Sequence, residues 1–289
     1  MDEGTMRLDR SNTAIVVDST ADLPPDLAAE PGVSMVPLNV HFGEQTFRDW
    51  VDMDAADFYR RLRTADPLPT TSAPAPGLFE AEYRRLRHTY ERVYSIHISA
   101  ELSATHQSAL VAQRQVDGVR TIDTQTISLA ISLLVRRLLA LLDRGTDDAE
   151  ITAYAERYRR EAGVLFMLDT LEYLQRGGRI GRASSLAGSL LNIKPLLTIT
   201  DGVVDAHKRV RGEQKALQAM LGYVLDRTSP GAPVYTAVAH ADAPERATSL
   251  SEHLLQLDRD MRIVVSGQVG SVIGTYAGPG AVAVFFMQE

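Results

Sequence analysis

The sequence predicts an α/β protein of two domains: an N-terminal domain with a mostly parallel sheet and helices on both faces, then a C-terminal mixed α/β domain. Three observations predict it. From residue 13 to about residue 161, short β-branched runs alternate with helical stretches. The composition then shifts at GVLFMLDT (163–170), where a new apolar run begins. Further on, TIT-DG-VVD (198–205) joins two β-rich runs by an Asp-Gly pair, which is antiparallel hairpin chemistry. The 289 residues suit two domains of ordinary size. The expected division is a disordered leader at 1–12, an N-terminal domain at 13–163 and a C-terminal domain at 164–289.

The elements follow in order. Residues 13–17 form a buried strand ending at Asp18, and Pro24 and Pro25 suit the first turn of a short helix. SMVPLNVHF (34–42) reads as one strand, placed near an edge or bulge because its proline donates no ladder hydrogen bond. Residues 64–77 are a proline-rich loop, after which Pro76 opens a helix with the apolar stripe Phe79, Tyr83, Leu86 and Tyr90. RVYSIHI (92–98) and VRTI (119–122) are strands. Ser103 is expected to cap the helix between them, and Thr126 the apolar helix 127–142. Residues 147–161 make a charged amphipathic helix. In the second domain a strand at 164–168 and the hairpin are followed by a helix at about 212–227, a strand at 233–241 and a helix at about 243–258. RIVVSGQVGS and AVAVFF close the chain, separated by the turn-rich stretch GTYAGPG (274–280).

Composition excludes several classes of function. There is no cysteine, so disulfides, thiolate metal sites and a cysteine nucleophile are out, and a cytoplasmic location is the expectation. A net charge of −7 argues against a nucleic-acid footprint or an anionic-membrane anchor. The longest apolar stretch, 131–142, is interrupted by Arg136 and Arg137 and is too short to span a bilayer, which needs about 20 residues. Gly278-x-Gly280-x-x-Ala283 matches the dinucleotide fingerprint by letters only, since a strand-like run follows it where a helix is required. The seven histidines show no metal-ligand spacing. No cofactor is expected.

Four hydroxyl-rich loops remain: DSTAD (18–22), TTS (70–72), SAELSAT (99–105) and DTQT (123–126). Three follow predicted strands, at the sheet end where open α/β folds bind ligands, and the fourth precedes a helix. Helix capping alone explains any one of them. Together they point to a site for one acidic or hydroxylated group, with Asp18, Ser19, Thr105 and Asp123 on its rim. A rival reading is a serine hydrolase or acyl-transfer enzyme in which Ser103 is served by His106.

DSTADLP (18–24), PTTSAPAPGLF (69–79), ISAELSATHQSA (98–109), IDTQTIS (122–128), LEYLQRGGRIG (171–181), IKPLLTITDG (193–202) and VIGTYAGPGA (272–281) resemble, in that order, the motifs of the DegV family. The resemblance runs from residue 13 to the end. It implies a protein that binds one long-chain fatty acid in a buried tunnel, similar to the binding subunit of the bacterial fatty acid kinase system. There a carrier without catalytic machinery presents the acyl carboxylate to a separate ATP-dependent kinase, which makes an acyl phosphate. Carried over by motif, Thr71, Ser72 and Ser103 contact the carboxylate. Arg211 faces the kinase, and Arg179 is a weaker candidate for that role or for domain packing. Tyr276 stands where the family usually has a carboxylate-binding histidine, Ala277 replaces a threonine, and Ala104 replaces a glycine. The apolar helices 127–142 and 185–197 are the expected tunnel walls. A polyol-binding domain is a third reading, since the fold is held to be related to dihydroxyacetone kinase domains.

Overall fold

The computed structural model describes residues 6–186 and 192–289. The first unit runs β1 (Thr13–Asp18), α1 (Pro25–Ala28), β2 (Val33–Val36), β3 (Asn39–Phe42), β4 (Gln45–Arg48), α2 (Ala55–Leu62) and β5 (Thr70–Ser72). It continues with α3 (Pro76–Arg87), β6 (Arg92–His97), α4 (Thr105–Gln113), β7 (Val119–Asp123), α5 (Leu129–Arg144) and α6 (Asp148–Glu161). Strands β2-β1-β6-β7 form a parallel sheet in that order. One face packs on α3 and α4 through Val16, Phe79, Tyr83 and Ala109. The other, through Ile15, Val17 and Ile96, joins a core that includes α5. Burial on both faces explains why β1 is apolar at successive positions instead of alternating.

Three expectations change here. The run 34–42 is two strands, broken at Pro37-Leu38, and its second half is the middle of a separate three-stranded antiparallel sheet, β4-β3-β5. Thr70–Ser72 is the edge strand of that sheet, so it is not a loop leading into α3. Part of the stretch 1–12, expected as a disordered leader, also packs on the fold. Leu8 is fully buried and exchanges backbone hydrogen bonds of 2.8 and 2.9 Å with Thr146.

The second unit contains β8 (Gly163–Met167), α7 (Glu172–Arg176), β9 (Ile193–Thr200), β10 (Val203–Arg211), α8 (Glu213–Asp226), β11 (Pro233–His240), α9 (Pro244–Leu255), β12 (Asp260–Gln268), α10 (Ser271–Ala277) and β13 (Val282–Gln288). Its sheet, β10-β9-β8-β13-β11-β12, is antiparallel except for the β11–β12 pair. Side chains alternate across it. Val234, Val238, Val284 and Phe286 pack outward on α8 and α9, whereas Ala237, Ala239, Ala283 and Phe285 face inward toward α5. Helix α5 is thus buried between the two units and packs on β11, β12 and β13, although it precedes the expected boundary in sequence. The Asp201-Gly202 turn has φ of 52° and 77°, the left-handed pair of a tight hairpin. Its tip docks on the first unit, where Ser99 Oγ donates to the Gly202 carbonyl at 2.7 Å.

Candidate functional site

A cavity of about 190 Å³ lies between the inner face of the second sheet, α10, and the loops after β5 and β6. Its floor is built of small residues on neighbouring strands. Ala283 pairs with Phe166 on one side and Ala239 on the other, and Ala241 donates its backbone N–H to the Ala281 carbonyl at 2.9 Å. Alanines at these inward positions leave space that larger side chains fill elsewhere in the core. Val272, Ile273, Tyr276 and Ala277 of α10 form a second wall, and Leu38, Ile98 and Leu102 border it from the first unit.

The expected walls differ from these. Of the helical stretch 127–142 only Ile127 and Ser128 border the cavity, both before α5 begins, because the rest of α5 is packed as core. Residues 185–197 contribute no described lining residue, and 187–191 lie outside the described residues. The turn expected at 274–280 is helical in its first part: Gly274–Ala277 belong to α10, which ends at Gly278 with φ 68°.

The polar groups gather beside Arg179. Thr71 Oγ1 and Tyr276 Oη are hydrogen-bonded at 2.7 Å across 205 residues of sequence. The Arg179 guanidinium lies 5.3 Å from the centre of the Tyr276 ring, within cation–π range, and donates to the Leu102 and Gly177 carbonyls. It borders one surface groove with Ser103 and another with Thr71 and Tyr276, so it links the two sides of the mouth. Among the described residues no carboxylate pairs with it. The sequence offered Arg179 for the partner-facing surface or for domain packing; the fold also makes it a lining residue of the cavity.

Other expected residues are not brought to the cavity. Ser72 points away, since adjacent strand residues face opposite sides; its Oγ is exposed and bonded to His41 Nε2 at 3.0 Å. Asp18 is wholly buried, accepting from His97 Nδ1 at 3.0 Å and from the amides of Thr20 and Ile98. Ser19 Oγ accepts the Leu38 amide at 3.1 Å. Thr105 is buried and holds the Ser103 hydroxyl at 2.8 Å. Asp123 accepts the amides of Ala100 and Gln125, tying the β6 and β7 loops together. These are the turn and cap roles that short polar side chains ordinarily serve. Ser103 precedes the capping position, which Ala104 occupies, and Ser128 takes the place expected for Thr126. Arg211 is exposed at the end of β10, away from the cavity lining.

The chemistry available is that of binding. Ser103 Oγ bonds the hydroxyl and amide of Thr105, and among the described residues no base is hydrogen-bonded to it. An Asp18–His97–Ser95 array does exist, with His97 Nε2 accepting from Ser95 Oγ at 2.7 Å, but all three residues are fully buried and closed off by Tyr83. Among the described residues no group of His, Asp or Glu is arranged to hold a metal ion, and no helix is long and apolar enough to cross a membrane. Sequence reasoning missed the alanine floor. Its signal was present in TAVAHA and AVAVFF, where small residues recur at every second position.

A family model described as an uncharacterised protein of the DegV family matches residues 12–289. A DegV domain-containing protein of Halalkalibacterium halodurans is 36% identical over 279 residues, 96% of this chain and 98% of the relative. The fold is similar to that of a DegV family protein from Thermus thermophilus described for its fatty acid binding. The TM-score is 0.92 and the identity 35%, over 96% of this chain and 100% of that one. It is also similar to DegV of Bacillus subtilis, described as a fatty acid binding protein, at TM-score 0.87 and 32% identity over 96% and 100% of the two chains. With both units and all three sheets inside the matched span, the chain belongs to the DegV family.

Proposed function

We propose that this protein binds one long-chain fatty acid in the cavity and presents its carboxylate, at the Arg179 mouth, to a separate ATP-dependent kinase that forms the acyl phosphate. The observation that carries the reading is a mostly apolar cavity in which Thr71, Tyr276 and Ser103 gather around one arginine. Burying about 14 methylenes at roughly 0.8 kcal/mol each contributes up to about 11 kcal/mol. Ordering of the chain and desolvation of the carboxylate oppose it. Thr71, Ser103 and Tyr276 then supply neutral donors and Arg179 a charge, which offset that desolvation and orient the acid. The solved relatives described for fatty acid binding support the reading. The apolar lining disfavours a polyol, and the bonded Ser103 hydroxyl disfavours a hydrolase.

Native mass spectrometry of the purified protein, followed by denaturation, is expected to release an acyl chain. A protein that carries none and takes up no added palmitate overturns the reading. Thr71→Val removes one donor to a charged acceptor, worth about 1.5 kcal/mol, and should weaken palmitate binding about tenfold. For the kinase step, Arg211→Glu is expected to slow acyl-phosphate formation in the reconstituted system while palmitate affinity stays unchanged. An equal rate for the two proteins would remove Arg211 from the partner surface.

A further inference from the structure

Asp22 and Asp49 are buried carboxylates, 3% and 0% exposed, and among the described residues neither pairs with a basic side chain. Both come from the first unit, and both grip the start of α10. Asp22 Oδ1 accepts the Gly270 amide at 2.8 Å and the Trp50 indole at 3.2 Å, while its Oδ2 accepts from Ser128 Oγ at 2.7 Å. Asp49 Oδ1 accepts the Ser271 amide at 2.9 Å and the Ser271 hydroxyl at 2.6 Å, and its Oδ2 is buried with no partner. The backbone around them is strained: Asp22, Trp50 and Ser128 all have positive φ, at 50°, 63° and 55°. Gly270 admits no side chain, because a Cβ there would lie 2.4 Å from Trp50 Nε1 and 2.9 Å from Asp49 Oδ1.

We propose that Asp22 and Asp49 are positioning residues of the ligand site, a carboxylate pair that takes up a proton as it fastens α10 and so links the cavity wall to pH. The proposal rests on the fatty-acid reading of the cavity. Four of the seven residues of α10 line that cavity, including Tyr276, so the fastening sets the shape of the wall. Two like charges this close in a low-dielectric interior do not both ionise freely. Burial, with the Asp49 charge adding to it, pushes Asp22 up to about 8, and burial pushes Asp49 up to about 6. The other ionisable groups facing the pair do not neutralise it. Tyr59 donates to the Val269 carbonyl and its hydroxyl is pushed further up by burial and by the charges of Asp22, Asp242 and Asp49. Asp242 is paired with Arg63. Ser19, Ser128, Ser271 and Trp50 are neutral donors. A detached α10 would expose both carboxylates, which would then ionise normally. The docked form therefore holds the extra proton, and docking weakens as pH rises through 6 to 8. A fatty acid is already ionised in water over that range.

Trp50 is the only tryptophan in the chain, and its indole donates to Asp22, so its emission reports on the fastening. The test measures palmitate dissociation constants and Trp50 emission at pH 6.5, 7.5 and 8.5 in the wild type, Asp22→Asn and Asp49→Asn, with circular dichroism confirming the fold at each point. The wild type is expected to lose several-fold in affinity from pH 6.5 to 8.5, with emission titrating in step. Asp22→Asn, which keeps the shape but cannot ionise, is expected to give a flat profile, and Asp49→Asn a shallower one than the wild type. Identical profiles in the wild type and a folded variant overturn the proposal. If palmitate binds at no pH, the fatty-acid reading fails by itself. The Trp50 titration of the ligand-free protein then decides the proton-linked fastening: loss of the titration in Asp22→Asn upholds it, and persistence overturns it.

Discussion

Ala283→Leu is expected to weaken binding of a 16-carbon fatty acid about sixtyfold while leaving the ligand-free protein at least as stable as the wild type. Ala283 sits in the middle of the cavity floor, between Phe166 and Ala239 on the flanking strands. A leucine there adds three carbons to space the acyl chain would occupy. Displacing about three methylenes at roughly 0.8 kcal/mol each removes about 2.4 kcal/mol of transfer energy. Filling an empty apolar space does not destabilise a fold in the way overpacking a filled one does. Binding and stability should therefore move apart, which a general packing defect would not produce. Titration calorimetry with palmitate and laurate, beside a urea melt, makes the comparison, and the shorter acid should lose less. Unchanged palmitate affinity would place the acyl chain elsewhere.

Raising the pH from 5 to 9 is expected to lower folding stability by on the order of a few kcal/mol through Asp22, part of it between pH 7 and 9. The direction follows from burial. Asp22 is held up at about 8 in the fold, against an ordinary carboxyl value of 3.8 in the unfolded chain. Between those values the folded state binds the extra proton, so its contribution is complete at low pH and is lost as pH rises through about 8. His106, His207 and His240 act the other way. Burial lowers each from 6.5, so the fold gains stability from them as pH rises toward neutrality. Their contribution is nearly complete by pH 7, which leaves the range 7 to 9 to Asp22. Urea melts at constant m-value across that range, compared with Asp22→Asn, isolate the effect. A wild-type slope equal to that of the variant would mean that Asp22 is ionised throughout.

The strand and helix order, the Asp-Gly hairpin and the family were legible in the sequence by itself, because each is a local pattern. β-Branched runs, a left-handed turn pair, proline at helix starts and an ordered set of short motifs do not depend on what packs against them. What those patterns left open was which side each residue faces. Thr71 and Ser72 are equivalent letters in a loop; only their placement in the edge strand β5 turns Thr71 toward Tyr276 and Ser72 toward His41. The run 34–42 looked like one strand because alternation continues through Pro37, and only the pairing of its halves with different partners divides it. The tertiary structure alone decided the cavity, the presence of Arg179 at its mouth and the burial of Asp22 beside Asp49. The physical reason is common to all three. A cavity is volume that neighbouring side chains leave unfilled, and a raised carboxyl is the consequence of water excluded by residues far away in sequence, such as Gly270 at 248 positions from Asp22. Neither is a property of any segment taken alone.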